Sequence, residues 1–474
     1  MLPKTLKYGS KIESAYARSM KSNIAPQNGT GPYLLGDTII VNIPTRNNLC
    51  LVPSESYLKF NVNIANLSTD ANAFRWDSGG AHGIIQRIRI FHGSNMLQDI
   101  DSYGMLAKIL FDLQMPTDAT YGKYNLLCGT RSDLVLKMPT VGAAAGDPGT
   151  ALSAKGLSVL PINSGDRVES ITTLVTASTG TVTNTYCLSL ISLVGLLCSQ
   201  NYIPLFEMTS APLRVEIQLV DSIVKALNVL SVSGGTPTIN LSNVEYVGTF
   251  IELGDPAIAM IRDSLGGSPL QFVVPDYRNY SHVQVLTNLS SAAIAMPIAA
   301  KFSSVKALFV SVREYGTGAV AYYPYSSVSR NIADYQFRIG PNVFPTKVPN
   351  TLPEMFAECL KATGSISDLN QQPSIDKISY TLVTSLNTAA LLDTATSVSN
   401  QQSGSFYIGI DLETYANAPK DQIFTGYNTN TEDIYAMINY NSQTAATATN
   451  CRFDAFCNFD CVVICENQTA YIRF

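Results

Sequence analysis

The segment IRIFHGSNMLQDIDSYGMLAKILFDL, residues 88–113, runs a strand into a tight turn and then into a helix. Arg89-Ile90 leads through Phe91 and His92 to Gly93-Ser94-Asn95. The apolar pair Met96-Leu97 follows, and an amphipathic helical stretch starts near Tyr103. A second segment, YQFRIGPNVFP at Tyr335 to Pro345, repeats the pattern. There Arg338-Ile339 enters Gly340-Pro341-Asn342, then Val343-Phe344, and a helical stretch follows from near Leu352. Gly93, Asn95, Gly340 and Asn342 thus mark one turn motif used twice, about half a chain apart. A strand, a turn and a helix at the same place in each half predict one fold used twice.

Working outward, apolar residues alternate with polar ones at period two in both halves, as in half-buried strands. Leu58, Phe60, Val62 and Ile64 form an inward row, with Lys59, Asn61 and Asn63 facing out. Val215 and Ile217 lie opposite Arg214, Glu216 and Gln218. The second half continues with Leu308, Val310 and Val312, with Tyr335, Phe337 and Ile339, and with Phe406, Ile408, Ile410 and Leu412. Strands parted by turn signals, without a helix after each one, predict antiparallel sandwiches and exclude a parallel α/β sheet.

Few helices are expected. Asp101-Ser102 can cap one that carries Leu106, Ile109, Leu110 and Leu113 on one stripe and stops before Pro116. Thr351-Leu352-Pro353-Glu354 has capping-box spacing, and Met355, Phe356, Cys359 and Leu360 follow on one face. A third helix, roughly Pro256 to Leu265, ends at Gly266-Gly267 and reads as the connector between halves. Residues 140–185 and 363–403 are rich in Ala, Gly, Ser and Thr and read as long surface insertions.

With 474 residues, the chain exceeds one ordinary domain and fits two of roughly 200 each. Hydrophobic residues reach 46% and charged ones only 14%, which excludes general disorder. The net charge of −5, without charged blocks in the body of the chain, is not that of a protein coating bulk nucleic acid. The N-terminus is the exception: Lys4, Lys7, Lys11, Arg18 and Lys21 face a single acid, Glu13. They read either as an arm touching an anionic surface or partner protein, or as a solvated tail. No apolar core of a secretory signal follows them. Tyr186 to Phe206 lacks charges, but serines, Gln200, Asn201 and Pro204 break it, so a buried strand and short helix are expected there.

Nine cysteines invite a metal or disulfide reading. Cys451, Cys457, Cys461 and Cys465 are all odd-numbered, like Phe453, Phe459 and Val463, and on a strand would share one face. Cysteines four apart on a strand stand roughly 13 Å from one another, too far to hold one zinc, so buried packing is expected. Catalytic signatures are missing. His82, His92 and His282 are the only histidines, and no phosphate-binding loop, dinucleotide fingerprint, His-Glu-x-x-His or Gly-x-Ser-x-Gly motif occurs. His82 and His92 could share a site if their strands fold back. Asp411 and Glu413 would share a strand face, a weak basis for polysaccharide hydrolysis. Trp76, the only tryptophan, reads as a packing anchor.

Together, residues 88–113, YIPLFEMTSAPLRVEIQL (202–219), YQFRIGPNVFP (335–345) and CRFDAFCNFDCVVICENQTAYIRF (451–474) resemble the double jelly-roll major capsid proteins of double-stranded DNA viruses, of the polinton-like virus and virophage type. The resemblance implies an all-β fold of two tandem eight-stranded jelly rolls with a few short helices and long loop insertions. Residues 1–30 would be a basic arm and 31–252 the first jelly roll, with an insertion over about 116–185. Residues 253–267 would be a helical linker and 268–474 the second jelly roll, with an insertion over about 363–403. It further implies a homotrimer forming a pseudo-hexagonal capsomer that tiles an icosahedral shell, made inside the host cell and resident in the virion capsid. Expected partners are further copies of the chain, penton and minor capsid proteins, and inner membrane or packaged DNA met by the arm Lys4, Lys7, Lys11, Arg18 and Lys21. No enzyme activity, cofactor, metal or small-molecule substrate is expected. The alternatives are a trimeric viral spike or adhesin and an all-β polysaccharide-active enzyme using Asp411 and Glu413.

Overall fold

The computed structural model of the chain describes residues 17–67, 73–130, 136–137, 180–189, 202–226, 228–229, 238–286, 292–315, 324–364, 366, 373–383, 403–414, 424–441 and 449–474. Its first half holds β1 (Ala17–Ile24), β2 (Thr38–Ile43), β3 (Leu49–Leu67), β4 (Ile85–His92), β5 (Asn95–Asp101), β6 (Gly180–Leu188), β7 (Leu213–Leu219) and β8 (Thr238–Leu253). The second holds β9 (Leu270–Leu286), β10 (Ala292–Ile298), β11 (Val305–Tyr315), β12 (Ile332–Ile339), β13 (Asn342–Phe344), β14 (Tyr407–Asp411), β15 (Ile434–Tyr440) and β16 (Thr449–Glu466).

All pairings among these strands are antiparallel, and the two halves are wired alike. The first half forms sheets β1-β8-β3-β6 and β2-β7-β4-β5; the second forms β9-β16-β11-β14 and β10-β15-β12-β13. Adding eight to each label of the first half gives the second. The order first-eighth-third-sixth facing second-seventh-fourth-fifth is that of a jelly roll, so the fold is a double jelly roll. Short strands Ala73–Arg75, Leu136–Lys137 and Asn228–Val229 add a small side sheet, and β17 (Thr469–Arg473) pairs with β16.

The Gly-x-Asn turns occupy the same connection in each half, β4 to β5 and β12 to β13. Each is a two-residue hairpin, closed by His92 opposite Asn95 and by Ile339 opposite Asn342. Gly93 and Gly340 carry φ of 58° and 55°, while Ser94 and Pro341 are not among the positive-φ residues. Positive φ at the first turn position alone suits a type II′ turn, which takes Gly there and accepts Pro next.

Three longer helices punctuate the strands: α1 (Tyr103–Gln114) after β5, α2 (Asp255–Leu265) between the halves, and α3 (Leu352–Lys361) after β13. The α3 cap is the one its spacing predicts, with Thr351 Oγ1 accepting from Glu354 N and Glu354 reaching back to Asn350 N. The α1 cap is not. Ser102 has φ 51°, outside the extended region a capping residue needs, and its hydroxyl instead accepts from Arg452 Nη2 at 3.0 Å. The arm drawn over residues 1–30 also changes: from Ala17 to Ile24 the chain is β1, eight rungs of ladder on β8, because Met20 and Ile24 pack on the core. The insertion drawn over 116–185 contains short helices at Thr117–Tyr121 and Lys123–Cys128 and ends inside β6, which completes its sheet.

Inward rows such as Leu58, Phe60, Val62 and Ile64 are buried as the alternation requires. In β11, β14 and β16 the opposite face is buried too. Phe309, Ser311, Tyr407 and Asp454 all lie under cover, supplied on β14 by α3 and by the first half. One-sided burial therefore describes the outer sheets but not this central one. On β16, Cys451, Phe453, Cys457, Phe459, Cys461, Val463 and Cys465 share one buried face; these cysteines form no disulfide, and burial pushes the thiols of Cys451 and Cys465 up to about 12. Phe459 stacks on Phe302 with ring centres 3.7 Å apart. Trp76 is buried edge-on against Tyr186, to whose hydroxyl it donates at 2.8 Å. No helix among the described residues is long and apolar enough to cross a membrane.

Candidate functional site at the seam between the halves

Helix α1 reads YGMLAKILFDLQ; up to Leu113 it is apolar on every side except for Lys108 and Asp112, one turn apart. A helix apolar all round must be walled in, and α1 is: it lies on the Gly80–Ile84 turn beneath the second jelly roll. Lys108 is 0% exposed. Its Nζ sits 2.7 Å from Asp112 Oδ2 and 3.6 Å from Asp77 Oδ1, and it donates to Ser78 Oγ at 2.7 Å and Ser405 Oγ at 3.1 Å. Tyr407 OH donates to Asp112 Oδ2 at 2.7 Å. The amides of Ser78 and Tyr325 satisfy Asp77 at 2.7 and 3.1 Å. Burial works against the ammonium, but the Asp112 and Asp77 charges outweigh it and hold the Lys108 pKa above the usual lysine value.

Further contacts run along the seam. Tyr325 OH donates to Gly83 O at 2.7 Å. Asp454 takes Arg313 Nε at 2.8 Å and Arg452 Nε at 2.9 Å, and Arg452 also reaches Ser102. At the other end, Ala470 of β17 is clamped from both sides: its amide donates to His92 Nδ1 at 3.1 Å and its carbonyl accepts from Asn95 Nδ2 at 3.1 Å. A backbone amide only donates, so His92 carries its proton on Nε2 and gives it to Met208 O at 3.0 Å. Between these ends Gln98 Nε2 donates to Asp276 Oδ1 at 3.0 Å; burial pushes the Asp276 carboxyl up to about 7.

The turn motif therefore splits in use. Asn95 holds the second half, whereas Asn342 donates to Tyr427 OH at 3.0 Å within its own half. Of the basic residues, Arg18 and Lys21 are exposed on β1, Arg18 pairing with Glu252 at 3.1 Å; Lys4, Lys7 and Lys11 lie outside the described residues. His82 and His92 do not share a site, because β4 runs its whole length between them and His82 is buried against Tyr103 OH at 2.9 Å. Asp411 and Glu413 do not share a strand face either. The strand ends at Asp411, which accepts from the Glu413 amide, while the Glu413 carboxylate turns to Thr425 and Lys306. Lys108, Asp112, Asp77, Ser405 and Tyr407 carry no sequence motif. The available signal was two opposite charges, four apart, inside an otherwise apolar helix.

The outer faces of two equivalent sheets differ. On β7, β4 and β5, Arg89 pairs with Glu216 at 2.9 Å and Arg87 with Asp99 at 2.6 Å, while Arg214 covers the Phe91 ring at 4.7 Å. On the matching strands of the second half the row is nearly neutral. Tyr435 lies between Pro297 and Arg338, and Met437 between Ala295 and Gln336; the two are 40% and 43% exposed.

No family model and no curated protein sequence matches the chain. Solved structures do. A chain of the Sputnik virophage structure aligns with TM-score 0.60 at 11% identity, over 100% of this chain and 91% of that one. The mavirus major capsid protein aligns with TM-score 0.56 at 12% identity, over 100% and 93%. The capsid structure of the virus PBCV-1 aligns with TM-score 0.57 at 8% identity, over 99% and 100%. At such identities the likeness speaks of fold, and the fold is the double jelly roll that these viral structures share with this chain.

Proposed function

We propose that the chain is the major capsid protein of an icosahedral double-stranded DNA virus. The observation that carries this is end-to-end correspondence with capsid structures, in both directions, of a chain whose halves have one strand order. Three such chains present six similar lobes, so a threefold capsomer packs as a near-hexagon and tiles a facet. Subunit contacts are then large and obligate, with thousands of Å² buried. A different protein fills the fivefold vertices. The basic residues Lys4, Lys7, Lys11, Arg18 and Lys21 serve the inner face, meeting a minor capsid protein, a membrane or packaged DNA. The chain acts in the virion shell by assembly, not catalysis, and takes no cofactor or small-molecule substrate.

Mass photometry and negative-stain microscopy of the purified protein test this reading. Particles of three times the chain mass with hexagonal outlines are expected; a monomer at every concentration overturns it. A chain lacking residues 2–16 keeps β1 and is expected to form trimers but less stable shells. Shells of unchanged yield and stability would remove the arm's role.

A further inference from the structure

The Lys108 cluster is more polar than stability alone requires. Desolvating an ion pair costs several kcal/mol, and well-packed apolar residues of similar volume often serve stability as well or better. What a buried ion does demand is a single geometry. Apolar surfaces sliding by about 1 Å still touch, whereas an ammonium moved that far from its carboxylate is left buried and unpaired. Here the partners come from both jelly rolls. Asp77, Ser78 and Asp112 belong to the first; the Ser405 and Tyr407 hydroxyls and the Tyr325 amide belong to the second.

We propose that Lys108, Asp112 and Tyr407 are positioning residues that fix the angle between the two jelly rolls. The benefit of a fixed angle rests on the capsid reading: six lobes from three chains meet evenly only if each chain holds its two lobes about 60° apart around the common axis. Loss of the cluster then leaves each lobe folded and the pair out of register.

The experiment compares three proteins with nitroxide labels on unnatural side chains at the exposed positions Glu55 and Lys361, one in each half, and measures the distance between them by pulsed electron paramagnetic resonance. The parent gives one narrow distribution. Lys108→Met combined with Asp112→Leu and Tyr407→Phe leaves Asp77 without its cation, so it lowers Tm; it also gives a distribution about twofold wider and loses trimers. Leu106→Ala, which thins the apolar wall of the same helix, lowers Tm and keeps the narrow distribution. A triple variant as narrow as the parent overturns the proposal. Should that variant not fold, Tyr407→Phe with Ser405→Ala removes only the second-half hydroxyls and is expected to broaden the distribution by a smaller amount; unchanged width there also overturns it. The widths are read with labelled chains diluted into an excess of unlabelled chains of the same sequence, so that each particle carries one labelled copy; a parent that never trimerises sinks the capsid reading while the register of the halves is decided independently.

Discussion

Helices α1 and α3 hold the same place in the two copies of the fold, directly after the fifth strand, yet they share little chemistry. The first is sealed between the jelly rolls with its lysine wholly buried. The second lies on β14 and turns Lys361 and Glu358 to solvent, paired at 2.6 Å, while Met355 and Cys359 face inward. A duplicated chain keeps its strand order because hydrogen bonding and alternation fix that locally. What each copy's helix must bury is set by the neighbour it meets, and α1 meets the other lobe.

Lys108→Met alone breaks the comparison most sharply. It leaves Asp112 and Asp77 buried without their cation and is expected to cost about 3–5 kcal/mol in urea unfolding. The corresponding change on the exposed helix, Lys361→Met, stays within about 0.5 kcal/mol. Equal losses would show that the burial of α1 has no energetic meaning.

Next in size is a pH effect at the seam. Asp276 has its carboxyl raised from 3.8 to about 7 by burial. For an acid raised on folding, the stabilisation is complete below the unfolded value and is lost as pH climbs through the folded one. Stability should therefore fall between pH 4 and 7, by up to roughly 1.4 kcal/mol per pH unit, and level off above. Asp276→Asn should remove that slope in unfolding measured across the same window; an unchanged slope assigns it elsewhere.

The two turns offer a finer contrast. Alanine at Gly93 or Gly340 meets the left-handed backbone penalty of about 1–2 kcal/mol. At Gly340 the new methyl also lies 2.9 Å from Glu432 Cδ, against 3.7 Å to the nearest atom at Gly93. Glu432 accepts from Tyr427, the partner of Asn342, so Gly340→Ala should lower Tm more than Gly93→Ala. The smallest effect belongs to the caps. Thr351→Ala should cost about 1 kcal/mol and speed amide exchange at Glu354, whereas Ser102→Ala should leave exchange at the start of α1 unchanged.

The sheets were legible in the sequence because a period of two survives any arrangement of neighbours, and rows such as Tyr335, Phe337 and Ile339 mark it plainly. The turns were legible because positive φ asks for glycine. The seam was not, since Lys108 finds Ser405 and Asp112 finds Tyr407 almost 300 positions away, at separations no motif encodes. Ser102 misled for the same reason: it reads as a cap until Arg452, 350 residues on, takes its hydroxyl. Asp411 and Glu413 misled because alternation does not say where a strand stops.

The cysteine row on β16 has a consequence for durability. Thiol exchange needs a thiolate that an oxidant or a second sulfur can approach. Cys451, Cys457, Cys461 and Cys465 are walled off and kept protonated by their surroundings. Oxidising conditions are therefore expected to form no cross-links along this central strand.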